Sequence, residues 1–407
     1  MMFRGKRTIL ACALVLAACG GGEDSTTSTT SEPATTPVVT DAPASSPVPT
    51  PVVTDIPAAD PATYHTGGRV ELDKDGASQL YSWPGIYFEA NFSGTGIGML
   101  LNDESNYFDV IIDGQKHTQI NPPSSGIFWV HGLSDGAHTI KLTKRSESLS
   151  SNGRFGGFFA VDGGQILAAP AARQRQVEFI GDSFVVGYGN ELISLTAREC
   201  SDEEVNSTTN ANKSYGAMIA QQYNADYQIN AIGGLGLVHN WPGVSELNYP
   251  AYYDRALLSV AGDIWQKPDS WNPQLVVIKL GTNDFGSAPG PDEPYTAATL
   301  PAAFKAAYHD LIAKLRTRYG PTTNIVVIGG NSGWGERDFN LYTATKAVVD
   351  KENAEGDSRV YFLENPGSGD GSTLGCNWHP NLSATENFTD ELKTYLDGLP
   401  DIWNGRL

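Results

Sequence analysis

The sequence has 407 residues, of which 40% are hydrophobic, and its 27 basic and 46 acidic side chains give a formal net charge of −19. This length suits two domains, each able to bury its own core. A surface of this charge repels phosphate backbones and anionic lipid headgroups, so it disfavours nucleic acid and electrostatic membrane binding. A neutral polymer or a small ester is the more natural partner, and we favour a monomer.

Residues 1–19 predict export of the chain. Arg4, Lys6 and Arg7 precede an apolar run over residues 9–18, which is too short to span a bilayer and is typical of a signal peptide. The segment ending at Cys19 resembles a bacterial lipobox, which implies cleavage before Cys19 and lipidation of its thiol. The mature protein would then be anchored at the outer membrane or surface of the bacterial envelope. An ordinary secretory signal with an incidental cysteine is the alternative.

Residues 20–63 predict a disordered linker. The segment consists largely of Thr, Ser, Pro, Ala and Val, and it contains no aromatic residue. Such a composition does not bury enough apolar surface to offset its conformational entropy, and its prolines favour extended conformations.

Residues 64–172 predict a β-sandwich domain of jelly-roll type. Short alternating segments, such as residues 107–112 and 137–144, are separated by turn pairs such as Asp113-Gly114. Regular spacing of strands and turns without a helical stretch is typical of this architecture. Modules of this kind often bind sugars, but we assign the aromatic residues here to core packing.

Residues 173–407 predict a three-layer α/β/α domain with a parallel sheet. Apolar runs that predict strands alternate with patterns that predict helices. The predicted strands cover residues 177–180, 227–232, 275–280, 325–328 and 360–363. The predicted helices cover residues 300–319, 341–354 and 383–396.

The motif Gly181-Asp182-Ser183 follows the first predicted strand of this sheet. Gly181 allows a sharp turn, and Asp182 and Ser183 open a helix at the carboxyl edge of the sheet, where ligands bind in open α/β folds. A serine at that edge is a candidate nucleophile. The alternative is that Asp182 or Ser183 only caps the helix.

Three further motifs follow later strand ends, at residues 233–236, 281–284 and 376–380. Together with the first serine they resemble the four blocks of the SGNH (GDSL-like) hydrolases over the whole α/β domain. Ester cleavage by a serine needs a base and donors for the tetrahedral oxyanion. The resemblance implies that Ser183 is the nucleophile and His379 the general base.

The same resemblance implies three oxyanion donors: the backbone N–H of Ser183, the N–H of a glycine in the 233–236 loop, and the side chain of Asn283. For the glycine we choose Gly236 over Gly234, since a loop that packs against substrate needs an inward N–H and no Cβ.

The usual triad aspartate is missing from its position three residues before the histidine, which is Cys376 here. A backbone carbonyl, such as that of Trp378, or the Asn377 side chain would have to orient the imidazole, and a Ser-His dyad remains able to work. Cys376 is instead a disulfide candidate with Cys200, because paired cysteines in an oxidising compartment form bridges. That bridge would pin the histidine loop.

A sandwich that precedes an SGNH domain ending in Gly-Cys-Asn-Trp-His-Pro-Asn resembles carbohydrate esterase family 2 over residues 64–407. The resemblance implies removal of O-acetyl groups from xylan or glucomannan, with preference for the sugar 6-position, without cofactor or metal. Trp241, Trp334 and Trp378 are candidates for stacking on pyranose rings.

Two other functions stay open at this point. A lipase or thioesterase on the same scaffold would need a broad apolar groove for its acyl chains. A surface carbohydrate-binding protein that has lost catalysis would explain the missing aspartate, but it has no need for Ser183, Asn283 and His379 together.

Overall fold

A computed structural model describes residues 58–122, 124–192, 196–243, 247–330, 336–365 and 373–403. The predicted signal peptide, the lipidation site Cys19 and the candidate Trp334 lie outside these ranges. Within them, no helix combines the length and apolar character needed to cross a bilayer.

The N-terminal part is an antiparallel β-sandwich whose two sheets run in the orders β1-β4-β9-β6-β7, with β11 also on β4, and β2-β3-β10-β5-β8. The four-strand orders 4-9-6-7 and 3-10-5-8 within them are those of a jelly roll. The strands are β1 (His65–Gly67), β2 (Val70–Leu72), β3 (Gln79–Tyr81), β4 (Tyr87–Ser93), β5 (Gly96–Asp103), β6 (Phe108–Ile112), β7 (Gln115–Ile120), β8 (Ser124–His131), β9 (Ala137–Lys144), β10 (Gly153–Ala160) and β11 (Gln165–Ile166).

Aromatic side chains fill the space between the two sheets, as we expected from the sequence. Phe88 on β4 stacks on Phe155 of the facing sheet with ring centroids 4.0 Å apart, and Tyr64 contacts both rings edge-on. Such pairs contribute beyond their buried area.

The end of the predicted linker is ordered, contrary to its assignment as disordered up to residue 63. The Ala59 N–H donates to the Gly156 carbonyl at 2.7 Å, and residues Pro61–Thr63 form a short 3-10 turn. Asp60 caps this turn by accepting from the Ala62 N–H at 2.9 Å. Proline and the capping carboxylate stabilise the turn locally, so composition alone placed the boundary too late.

The described residues of the C-terminal part form a parallel sheet of strand order β13-β12-β14-β15-β16. Its strands are β12 (Arg175–Gly181), β13 (Ala225–Ala231), β14 (Leu275–Lys279), β15 (Asn324–Gly330) and β16 (Val360–Asn365). All strands are parallel, but the order in which the chain adds them changes direction at β12: β13 is added on one side of β12, and β14 on the other. The carboxyl end of β12 is therefore the switch point at which such sheets bind ligands.

Helices cover both faces of this sheet, which gives the predicted three layers. One core packs the sheet against α3 and α8, and the other packs it against α6 and α7. The helices are α1 (Ser183–Val186), α2 (Asp202–Thr208), α3 (Tyr215–Gln222), α4 (Tyr249–Tyr253), α5 (Thr282–Gly286), α6 (Leu300–Tyr319), α7 (Glu336–Ala354) and α8 (Leu382–Asp397).

A buried ion pair joins the sandwich to strand β12 of the α/β domain. Arg69 and Glu178 are both fully buried, and the guanidinium Nη2 donates to the carboxylate at 2.8 Å. Asn230 and Tyr253 also donate to Glu178, and Arg69 lies over the Trp265 ring. The pair orients the sandwich relative to β12, which carries the Gly-Asp-Ser motif at its end.

Candidate active site

Ser183 lies at the first position of α1, directly after β12 and at the switch point of the sheet. Gly181 is required there, because a Cβ would approach Val185 Cγ2 to 2.1 Å and the Lys279 carbonyl to 2.7 Å. Asp182 caps the helix, with Oδ1 accepting from the Phe184 N–H at 3.1 Å. The cap is thus Asp182, which leaves the hydroxyl of Ser183 for another partner.

That partner is His379, whose Nε2 lies 2.7 Å from Ser183 Oγ. The other ring nitrogen, Nδ1, lies 3.0 Å from the backbone carbonyl of Asn377. A carbonyl only accepts, so Nδ1 carries the proton and Nε2 of the neutral ring accepts from the serine hydroxyl. This is the tautomer that a general base for Ser183 requires.

The group that orients the imidazole differs in detail from our expectation. It is the carbonyl of Asn377, not that of Trp378, and the Asn377 side chain is used elsewhere. Its Oδ1 accepts from the Cys200 N–H and its Nδ2 donates to the Tyr188 hydroxyl, each at 2.9 Å. Asn377 adopts a left-handed conformation (φ 48°), which asparagine tolerates better than most residues.

A disulfide between Cys200 and Cys376 holds the same loop, with Cα atoms 5.4 Å apart. Cys376 is fully buried, and its carbonyl accepts from the His379 N–H at 2.9 Å. The bridge therefore ties the histidine loop to the segment that precedes α2.

The surroundings of His379 favour its neutral form. Burial lowers the pKa of His379 to about 4, against the opposing effect of the Asn377 and Cys376 carbonyls. The Lys279 charge lowers the pKa further, and the Tyr188 ring lies 4.4 Å from the imidazole. The imidazole is thus neutral, as a general base must be, from neutral pH down to about pH 5.

Lys279 is a site residue that sequence reasoning missed. It is largely buried at the end of β14, and its Nζ lies 3.9 Å above the ring of Phe184, next to the nucleophile. Burial raises the pKa of Asp182, and the Lys279 charge opposes that rise. A single lysine at the end of an otherwise apolar buried strand was the available signal.

The structure argues against Gly236 as an oxyanion donor. Its N–H donates to Asn240 Oδ1 at 3.0 Å, and a Cβ there would lie 2.5 Å from Asp284 Oδ2. Asp284 in turn accepts from the N–H groups of the three residues that follow Gly236, and its burial raises its pKa to about 6. Gly236 is therefore needed for packing of the loop against Asp284.

Gly233 and Gly234 are the other two glycines of this loop, and Gly233 lies next to the nucleophile. A Cβ at Gly233 would be 3.8 Å from Ser183 Cβ, whereas one at Gly234 (φ 78°) would meet no described atom within 4 Å. Among the hydrogen bonds of the described residues, none has the Gly234 N–H as its donor. Gly234 thus follows the glycine next to Ser183, and its N–H donates to no acceptor among the described residues.

Asn283 lies at the start of α5 and is largely buried. Its Nδ2 donates to the Leu235 carbonyl at 2.9 Å. An amide nitrogen carries two hydrogens, so this contact fixes the side chain and leaves a second N–H for another acceptor.

Two of the three candidate tryptophans are described, and both are exposed. The Trp241 side chain is 52% exposed, and the backbone N–H of Trp241 donates to the Gly234 carbonyl at 2.9 Å. Trp378 is 47% exposed and directly precedes His379. Trp241 and Trp378 thus belong to the two loops that contain the glycines and the histidine of the site. His239, by contrast, is buried, and its ring nitrogens contact Glu293 and Ser287.

Comparison with known proteins follows the same division of the chain. Residues 66–170 match the family model described as Carbohydrate esterase 2 N-terminal, and residues 179–381 match the GDSL-like Lipase/Acylhydrolase family. The chain is 35% identical over 349 residues to an acetylxylan esterase / glucomannan deacetylase of Cellvibrio japonicus, which covers 83% of this chain and 92% of the relative. The chain belongs to carbohydrate esterase family 2.

Solved structures agree with this membership. A family two carbohydrate esterase from Clostridium thermocellum, in complex with cellohexaose, is similar with a TM-score of 0.72 and 32% identity, over 83% of this chain and 100% of that one. Another carbohydrate esterase, whose active site displays divergent catalytic and non-catalytic binding functions, gives a TM-score of 0.74 and 33% identity over 84% and 98%. This family 2 member is a carboxylic ester hydrolase with carbohydrate esterase activity.

Proposed function

We propose that this family 2 esterase removes O-acetyl groups from plant cell-wall polysaccharides through a Ser183-His379 dyad. The observation that carries the proposal is the 2.7 Å contact between His379 Nε2 and Ser183 Oγ, combined with the carbonyl that keeps the proton on Nδ1. A hydroxyl that donates to a neutral imidazole loses its proton as it attacks a carbonyl carbon.

The reaction proceeds in two halves. Ser183 Oγ bonds to the acetyl carbon while its proton passes to His379 Nε2, and the tetrahedral intermediate expels the sugar oxygen, which takes that proton. Water then attacks the acetyl-serine, giving a proton to His379, and acetate leaves as Ser183 regains its hydrogen. The Asn377 carbonyl supports the imidazolium by accepting from Nδ1 in both halves.

The oxyanion donors in this proposal are the N–H groups of Ser183 and Gly234 and the second N–H of Asn283. Gly234 replaces Gly236 because the N–H of Gly236 is already bonded to Asn240. Preorganised donors of this kind contribute about 3 kcal/mol each to transition-state stabilisation.

Acetylated xylan and glucomannan are the proposed substrates, with the 6-position as the preferred ester. The C. japonicus relative is named as acetylxylan esterase and glucomannan deacetylase. A neutral sugar polymer suits a protein of charge −19, and the exposed Trp241 and Trp378 rings offer flat surfaces for pyranose rings. The assignment of Trp334 to the same role lies outside the described residues.

The deciding experiment measures acetate release from acetylated xylan and acetylated glucomannan by the full chain and by Ser183→Ala. We expect release by the wild type and a loss of several orders of magnitude in the variant. Ser134→Ala, which changes an exposed serine of the sandwich, is the matched control and should behave as wild type. Release by Ser183→Ala at the wild-type rate would refute the dyad.

Glycan binding without turnover is the second candidate, since the site of one similar carbohydrate esterase combines catalytic and non-catalytic binding functions. Calorimetric binding of cello- or xylo-oligosaccharides without any acetate release would support it. Preference for long-chain over acetyl 4-nitrophenyl esters would instead support a lipase.

We also propose a lipid tether at Cys19, which rests on the sequence of the first 19 residues. In a bacterial host, Cys19→Ser should move the esterase from the membrane fraction to the soluble one. Wild-type protein that is already in the soluble fraction would favour an ordinary secretory signal.

A further inference from the structure

A carboxylate of the sandwich domain reaches the glycine loop of the active site. Glu147 follows β9, and its Oε1 accepts from the Gly233 N–H at 3.1 Å. The position that a Gly233 Cβ would occupy lies 3.1 Å from this oxygen and 3.8 Å from Ser183 Cβ. One glycine thus separates Glu147 from the nucleophile.

Buried residues that make hydrogen bonds hold the backbone on both sides of Glu147. The Arg145 guanidinium donates from Nε to the Thr209 carbonyl at 3.1 Å and from Nη2 to the Ser207 carbonyl at 3.0 Å. The Ser148 N–H donates to the Ser82 carbonyl at 2.9 Å. Glu147 itself is only partly buried and faces the glycine loop.

The peptide unit between Gly233 and Gly234 carries the N–H that we assign to the oxyanion hole. Two consecutive glycines put little steric restraint on its rotation, so its direction depends on bonds to its neighbours. Glu147 accepts from the Gly233 N–H on one side of this peptide unit, and the backbone N–H of Trp241 donates to the Gly234 carbonyl at 2.9 Å on the other. These two hydrogen bonds therefore limit the rotation of the peptide unit between them.

We propose that Glu147 is a positioning residue, supplied by the sandwich, that aims the Gly234 N–H at the oxyanion by fixing Gly233. This inference rests on the proposed esterase function. It assigns to the sandwich a direct part in transition-state stabilisation, beyond any contact with glycan.

Removing the charge of Glu147 while keeping its hydrogen-bond acceptor distinguishes a positioning role from an electrostatic role. A carboxylate close to a developing oxyanion opposes that negative charge, so only its acceptor geometry helps the reaction. Glutamine keeps a carbonyl acceptor of the same length without the charge. Glu147→Gln should therefore retain activity, whereas Glu147→Ala should lose it.

The test compares wild type, Glu147→Gln, Glu147→Ala, Ser183→Ala and the exposed-carboxylate control Glu104→Ala, with 4-nitrophenyl acetate and acetylated xylan. For Glu147→Ala we expect kcat to fall by about tenfold to a hundredfold with unchanged KM on both substrates, less than the loss of a whole oxyanion donor. Glu147→Gln should stay within about threefold of wild type, since it keeps the hydrogen bond.

A second readout follows phosphorylation of Ser183 by diethyl 4-nitrophenyl phosphate. Ser183 Oγ bonds to phosphorus, 4-nitrophenolate leaves, and the serine proton goes to His379, while the phosphoryl oxygen occupies the oxyanion hole. The labelling rate of Glu147→Ala should fall in parallel with kcat. A lower melting temperature without this fall would indicate a merely structural role and overturn the proposal.

Other outcomes are equally decisive. A higher KM for xylan alone would make Glu147 a sugar contact, and a glutamine variant as slow as the alanine variant would implicate its charge; either result overturns the positioning role. An inactive wild type that the phosphate ester does not label would instead contradict the proposed function itself.

Discussion

Replacement of Asn377 tests whether a backbone carbonyl can do the work of the missing triad acid. Asn377→Ala removes the side-chain bonds to the Cys200 N–H and the Tyr188 hydroxyl, at about 1 kcal/mol each. It also places alanine at a φ of 48°, which costs roughly 1 kcal/mol more. We expect the loop to loosen and the carbonyl that holds His379 Nδ1 to lose its fixed direction.

These contributions sum to about 3 kcal/mol, so kcat/KM should fall by up to about a hundredfold if the whole loss appears in the transition state. Asn377→Gly is the matched control, because it loses the same two bonds but adopts a left-handed conformation without strain. It should recover roughly fivefold to tenfold of the activity lost in Asn377→Ala. Tyr188→Phe, which removes one of the two bonds, should show the smallest loss.

The assay is hydrolysis of 4-nitrophenyl acetate by each variant, with calorimetric melting to separate loss of folding from loss of orientation. Wild-type kcat/KM in Asn377→Ala would refute the reasoning, because the carbonyl would then need no side-chain support. A glycine variant slower than the alanine variant would contradict the assignment of strain to the left-handed conformation.

Three further outcomes follow from the site. Because burial lowers the pKa of His379 to about 4 and the base acts when neutral, kcat/KM should stay level from about pH 8 down to pH 5 and halve near pH 4; a midpoint near 6.5 would contradict this. Replacing Cys200 and Cys376 together by serine should destabilise the fold by up to about 5 kcal/mol, given a separation of 176 residues, and lower activity; unchanged calorimetric melting would refute it. Asn283→Ala should reduce kcat about a hundredfold to a thousandfold with little change in KM, and a change in KM alone would remove it from the oxyanion hole.

The polar residues that follow strand ends were predictable from the sequence. Parallel strands bring their carboxyl ends to one edge of the sheet, so Ser183 and Asn283 had to lie near each other once the strands were recognised. Helix 300–319 was predicted from its apolar pattern with its observed limits, and the structure shows Pro301 in its first turn and Gly320 at its C-cap. Motif order then placed His379 at the same edge.

What the sequence did not predict depends on backbone direction or on the other domain. The carbonyl of Asn377 has no signature, because every residue has one. The choice between Gly234 and Gly236 depends on which N–H already has an acceptor. In the folded chain the Asn240 side chain accepts from the Gly236 N–H, and the sequence gives no sign of this contact. Glu147 precedes the catalytic domain in the chain, so no motif of that domain includes it.

The ion pair between Arg69 and Glu178 limits how this esterase can be divided. Deleting the sandwich would leave the Glu178 carboxylate inside the sheet without its cation, which typically costs about 3 to 5 kcal/mol, a large part of the stability of an ordinary domain. We therefore expect a catalytic fragment that starts near residue 173 to be unstable and to express poorly. A chimera of two related esterases therefore needs both domains from one parent, or a matching arginine and glutamate at these two positions. Because of this ion pair, we expect the two domains to be exchanged together rather than separately.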